Sequence, residues 1–210
     1  MSRLRQALRF PVRAVRHLVS ERSYSRYYSG EGWEQTWRDD TPDFSGANED
    51  VHYGAMMQIL RRYDRGPMLD LGCGDGLLWD YYRPLSNSTL WGVDYAPSAV
   101  AKAASRGIPN SAFECRDFQT WEPGLRFSVV VFNESVYYID DIGAALRRAQ
   151  SWLAPGGVVL LCMMDTLVTR RVWKDIRAGQ RVVQAARVCD LGTGRSRTIR
   201  VLTPSAEPHR

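Results

Sequence analysis

The chain has 210 residues, of which 44% are apolar and 24% charged, with a formal net charge of +5. That suits one soluble α/β domain with an N-terminal extension, and no run approaches the roughly 18 apolar residues that a membrane span needs. Cys73, Cys115, Cys162 and Cys189 lie far apart, with no C-x-x-C pair and no histidine cluster, which excludes a disulfide framework or a metal site and points to a reduced, cytoplasmic setting.

Among 28 basic residues the lysines are Lys102 and Lys174. The mild positive charge allows acidic substrates or nucleic acid without demanding them. Residues 1–20 carry five arginines and no acid. Leu4, Leu8, Val12 and Val15 share one helical face, and Pro11 divides the stretch. Three readings stand: a basic helix on an anionic membrane surface or partner, a transit peptide, or a lid helix or frayed tail. Residues 21–47 are rich in rings, including Tyr24, Tyr27, Tyr28, Trp33, Trp37 and Phe44, without clear periodicity. Such a segment packs on something, either as a strap over the core or as a lid over a ligand mouth.

Asn48 is the expected cap of a helix in which Val51, Ala55, Ile59 and Tyr63 recur on one face, ended by Arg65-Gly66-Pro67. His52 sits on its first turn, as a structural group or a base. Met68-Leu69-Asp70-Leu71 then runs into Gly72-Cys73-Gly74-Asp75-Gly76. This is a buried strand, a tight glycine turn and a helix start, where backbone can approach a ligand closely. Leu77 stands where a pyrophosphate-binding turn needs its third glycine.

Residues 88–94 are the second strand, ended by Asp94, 22 residues after Gly72. An acid there accepts hydrogen bonds from a ribose diol. Residues 111–116 form the third strand, followed by Asp117 and Phe118. Residues 127–132 form the fourth, apolar except for Ser128, and deliver Asn133-Glu134-Ser135-Val136-Tyr137-Tyr138 to the carboxyl end of the sheet. A helix over 141–153, a Pro155-Gly156-Gly157 stop and a fifth strand over 158–163 follow. A last helix near 167–178 leads to two alternating runs around Asp190-Leu191-Gly192, an antiparallel hairpin, and residues 203–210 form a loose tail.

Leu69 to Gly76 match all eight positions of (L/V)-(D/E)-(L/V/I)-G-x-G-x-G, and in this the chain resembles the class I S-adenosylmethionine-dependent methyltransferases. Leu153-Ala154-Pro155-Gly156-Gly157 matches the L-x-P-G-G turn common among them. The resemblance covers roughly residues 50–203 and implies a three-layer Rossmann-like fold, with a seven-stranded, mostly parallel sheet of order 3-2-1-4-5-7-6 and an antiparallel terminal hairpin. The expected division is 1–47 as basic helix and aromatic lid, 48–203 as the cofactor-binding domain and 204–210 as tail.

The resemblance also implies S-adenosylmethionine as cofactor. Asp70, Leu71, Gly72, Cys73 and Gly74 would hold it, with Asp94 on the ribose, Tyr95, Asp117 and Phe118 around the adenine, and Asn133 at the methionine end. Glu134 is the first candidate base and His52 the second. Trp33, Tyr137 and Tyr138 are the candidate substrate contacts. Residues 134–138 resemble the corresponding segment of small bacterial methyltransferases of the nodulation-factor type. That tilts the acceptor toward a small molecule or glycan taking the methyl on oxygen or nitrogen. The alternatives are an RNA or protein methyltransferase, suggested only by charge, and a cofactor-binding scaffold without turnover. No zinc cluster or RNA-binding module is seen, so nucleic acid is not an expected partner. A monomer or dimer is expected.

Overall fold

The computed structural model describes residues 30–39, 47–177, 180–192 and 194–204. The basic stretch 1–20 lies outside them, as do Tyr24, Tyr27, Tyr28, Phe44 and the tail beyond Pro204.

Helix α1 (Gly30–Asp39) takes up the part of the ring-rich segment that is described, and α2 (Ala47–Tyr63) follows. Then come β1 (Met68–Leu71), α3 (Leu77–Tyr82), β2 (Leu90–Asp94), α4 (Pro97–Ser105), β3 (Ser111–Cys115) and β4 (Phe127–Asn133). The chain closes with α5 (Ile142–Ser151), β5 (Leu153–Met164), α6 (Leu167–Arg177), β6 (Arg181–Cys189) and β7 (Ser196–Thr203). The expected strap is thus in part a helix, and α2 begins one residue before its expected cap.

The strands form one sheet in the order β3-β2-β1-β4-β5-β7-β6, as the resemblance implied. β1 pairs in parallel with β2 and β4, and β2 with β3. β7 pairs antiparallel with both β5 and β6. Strands β1 and β4 are apolar almost throughout because helices cover both faces of a parallel sheet.

On one face Met56, Leu60, Trp79 and Tyr82 of α2 and α3 pack on Met68, Leu90, Val129 and Val131. On the other, Leu146, Ala149 and Trp173 of α5 and α6 pack on Leu69, Val130, Phe132 and Leu161. Each fully buried side chain of this size contributes about 1.5–3 kcal/mol. The β5 strand starts earlier than the Pro-Gly-Gly stop suggested. It pairs Leu153 with Phe127, and a register irregularity between Phe127 and Val129 takes up the extra residues.

The connections reverse direction between β1 and β4. In such open sheets the crevice outside the carboxyl ends at the reversal is the ligand site. Strand β6 is the outer edge, with Val182 and Val183 exposed. Among the described residues, no helix is long and apolar enough to cross a membrane.

Candidate active site

The glycine turn leaves β1 with Gly72 and Cys73 both donating to the Val93 carbonyl, at 2.8 and 3.1 Å. Gly72 lies at φ 79° and Gly74 at φ 53°, left-handed values that favour glycine. A Cβ on Gly72 would stand 2.5 Å from Ser135 Cβ, and one on Gly74 would stand 2.9 Å from the Trp37 ring. The following helix, α3, has only six residues, so the turn itself forms the cradle.

Asp94, at the end of β2, closes this turn from across the crevice. Its Oδ2 accepts from the Gly74 N–H at 2.8 Å and its Oδ1 from the Ala96 N–H at 2.9 Å. Burial pushes its carboxyl above the ordinary range, while the N–H groups of Ala96, Gly74 and Tyr95 pull it back.

Asp70 is 1% exposed, and its Oδ1 has no partner among the described residues. Burial and, second, the Asp94 charge hold its carboxyl well above the usual range. Asn133 Nδ2 donates to the Tyr53 hydroxyl at 3.5 Å, while its buried Oδ1 also lacks a partner there. Asp70 is paired with Val131, two residues before Asn133 on β4. Strand alternation therefore puts both side chains on one face, a pleat apart. Two orphaned, buried acceptors side by side at the strand ends suit a donor-rich, positively charged ligand group.

The Cys73 thiol is buried, and burial together with Asp94 and Asp70 pushes it well up. It lines the turn as an apolar group rather than a nucleophile. Beyond Asp94 an open cleft of about 490 Å³ is walled by Tyr95, Pro97, Cys115 and Asp117 on one side and by Glu34 and Arg38 of α1 on the other. Asp117 Oδ1 also accepts from the Gln119 N–H at 2.9 Å, as a local turn cap. The ring of Phe118, expected over an adenine, meets Phe132 edge-on at 6.0 Å and packs, partly buried, against the core.

The far side of the crevice carries the other candidates. His52 is 2% exposed and lies against Tyr53 at 4.2 Å between ring centroids. Tyr53 in turn stacks on Tyr81 at 4.8 Å. Glu134 sits at φ 54°, so the strand's alternation ends there. Its Oε1 accepts from Arg197 Nε at 2.9 Å, and its Oε2 accepts from the Tyr137 hydroxyl at 2.8 Å and the Met164 N–H at 3.2 Å. Burial raises its carboxyl; Arg197, Tyr137 and Met164 offset this in part. The carboxylate expected as candidate base is thus braced by three donors. Tyr137 touches Tyr138 at 4.5 Å, and Tyr138 meets Trp33 of α1 at 5.3 Å. The three candidate substrate contacts thus form one aromatic group joining α1 to the end of β4.

Sequence reading missed Arg197, Glu34 and the packing of Trp37. Arg197 had a signal: it shares the inward face of β7 with Ile199 and Val201, where a charge needs a partner.

A family model described as a methyltransferase domain matches residues 47–183. The ubiquinone biosynthesis O-methyltransferase of Bradyrhizobium sp. (strain ORS 278) is 34% identical over 111 residues, covering 51% of this chain and 42% of that protein. The chain therefore spans less than half the length of this relative. Among solved structures, the N-methyltransferase NodS from Bradyrhizobium japonicum WM9, in complex with S-adenosyl-L-homocysteine, has a similar fold. Its TM-score is 0.67 at 18% identity, over 84% of this chain and 98% of that one. A SAM-dependent methyltransferase from Geobacter sulfurreducens, also in complex with S-adenosyl-L-homocysteine, gives 0.64 at 13% identity, over 82% and 98%.

Proposed function

Because the chain belongs to the methyltransferase-domain family, we propose that it moves the methyl group of S-adenosylmethionine to an oxygen or nitrogen of a small-molecule or glycan acceptor. The observation that carries this reading is the pair of orphaned acceptors, Asp70 Oδ1 and Asn133 Oδ1, beside a glycine turn braced by Asp94. The cofactor fits that donor set. Its α-ammonium would satisfy Asp70 and Asn133, its ribose hydroxyls would donate to the remaining lone pairs of Asp94, and its adenine would enter the cleft beside Tyr95 and Asp117. Gly72 and Gly74, whose missing Cβ atoms leave room for Ser135 and Trp37, would present the backbone of Leu71 and Cys73 to it. When bound, the cofactor supplies a methyl group already activated by its sulfonium charge.

The chain's own residues supply position and dryness. Tyr137, Tyr138 and Trp33 form one aromatic group that would wall the acceptor side, limit water there and suit a planar or ring-bearing acceptor. A hydroxyl acceptor must shed its proton on methylation, and the imidazole of His52 is the side chain proposed to take it. Glu134 orients Tyr137 and Arg197. An amine arriving neutral needs no such base. The oxygen and nitrogen options both stay, since the two relatives named above are an O- and an N-methyltransferase.

Calorimetric titration with S-adenosylmethionine and, separately, with a nicotinamide dinucleotide tests the cofactor. Release of S-adenosylhomocysteine against a panel of phenols, catechols and sugar amines tests the acceptor. Binding of the first cofactor with turnover of one panel class is the expected result. Tight binding without turnover on any class, nucleic acid and protein included, would leave a scaffold that does not transfer.

A further inference from the structure

Helix α4 follows Asp94 directly, yet its cap residue, Ala96, has no side chain with which to cap. The missing cap comes from another helix. Glu34 of α1 accepts from the Ser98 N–H at 2.9 Å and from the Ser98 Oγ–H at 2.6 Å. A carboxylate there meets the positive end of the α4 dipole. The exchange runs both ways. Lys102 of α4 donates its ammonium to the Trp37 carbonyl in the last turn of α1 and lies 5.5 Å from the Trp37 ring centroid. Each helix thus serves an end of the other that its own sequence leaves open.

Between these two fastenings the Trp37 ring is pressed onto the glycine turn. It is 4% exposed, packs with Ala96 and Ala99, and would strike a Cβ on Gly74. Helix α1 also forms the outer wall of the 490 Å³ cleft. A ligand occupying this cleft beside Tyr95 and Asp117 would therefore lie directly against α1.

We propose that Glu34 is a positioning residue that latches α1 to Ser98, holds Trp37 on the glycine turn, and thereby sets how slowly the cofactor and its spent form are released. This rests on the cofactor assignment above but not on the acceptor. It makes α1 a retaining bar, fastened to the helix that follows the ribose acid.

The test is the release rate of S-adenosylhomocysteine, by stopped-flow displacement, from the full chain and from Glu34→Ala, Ser98→Ala, the double variant and Trp37→Ala. The affinity differences of related complexes lie mostly in the release rate, and Glu34→Ala should speed release by about tenfold. Ser98→Ala, which spares the Ser98 N–H, should speed it less. The double variant should match Glu34→Ala within about twofold, because both changes break one contact. Trp37→Ala should also speed release. The melting temperature of the ligand-free protein should fall only modestly in Glu34→Ala, as the loss of one helix cap does, whereas a purely structural role would lower it and leave the release rate unchanged.

Release from Glu34→Ala and Ser98→Ala within about twofold of wild type overturns the latch, as does strict additivity of the pair. If Glu34→Ala does not fold, Ser98→Ala alone decides, since it removes only a hydroxyl. Wild-type protein that takes up no S-adenosylhomocysteine would instead overturn the cofactor assignment itself.

Discussion

Glu134 and Arg197 meet at 2.9 Å at the head of the sheet, tying the left-handed residue just after β4 to the start of β7. They are 63 residues apart in the chain, and Arg197 is 5% exposed. Neutralising the acid takes the opposite charge away from a buried guanidinium. Glu134→Gln should therefore destabilise the fold by roughly 3 kcal/mol, the low end of the range for breaking a buried pair, because the Glu134 side chain keeps 23% exposure. Glu134→Gln combined with Arg197→Met, which removes both charges, should cost less than the single change. Urea unfolding of the three proteins checks this; equal midpoints for wild type and Glu134→Gln would show the pair to be idle.

His52 separates the two acceptor chemistries. With a hydroxyl acceptor, His52→Gln should lower turnover on the order of 10²–10⁴ while cofactor affinity holds. With an amine presented above its pKa, the loss should be small. Initial rates with matched phenol and amine substrates give the comparison. Unchanged turnover on hydroxyl acceptors would leave catalysis to positioning.

Asp94→Ala should weaken S-adenosylmethionine binding beyond the loss of direct contacts. Charge-assisted hydrogen bonds contribute roughly 1.5–3 kcal/mol each, and the same change frees the Gly74 and Ala96 N–H groups that Asp94 now holds. Titration calorimetry should give a dissociation constant raised by at least about tenfold; an unaltered constant removes Asp94 from the site.

Asp70 ties binding to stability through pH. Burial, and then Asp94, raise its folded pKa well above the unfolded value. Its contribution is therefore fully present below the unfolded pKa, about 3.9, and is lost as pH rises through the folded value. Ligand-free wild type should lose stability upward from about pH 4 relative to Asp70→Asn, and the variant should melt higher at neutral pH yet bind the cofactor more weakly. Parallel melting curves for the two proteins across pH 4–9 would contradict a buried, unpaired carboxyl.

What the sequence made legible was local or periodic. The glycine turn, the acid closing β2, the unbroken apolar run of β4 and the alternating hairpin each carry their own signal, while the strand order found is the one the methyltransferase resemblance implied. What stayed hidden depends on partners far along the chain. Glu34 meets Ser98 64 residues away, so nothing near either residue announces the contact. Helix α1 was masked by its polar sequence, in which Trp33 and Trp37 are the only strong apolar pair at helical spacing. Phe118 follows a strand as a cofactor-covering ring would, but the core offered it Phe132. Glu134 stood out as a candidate base because it is among the first polar residues after the buried β4; the arginine that binds it arrives with β7.

The sheet's outer boundary has a different consequence. β6 ends the order, so one row of its backbone donors and acceptors faces outward with no strand beside it among the described residues. Such a row is a template on which another chain could extend the sheet. Exposed Val182 and Val183 would favour that growth. Arg181 and Arg187 oppose it with charge, the latter held by Asp165 at 2.7 Å, and the register shift between Val182 and Gln184 breaks the straight run a docking strand would need. The charge of Arg181 and Arg187 thus works against edge-to-edge growth of a strand that is half apolar.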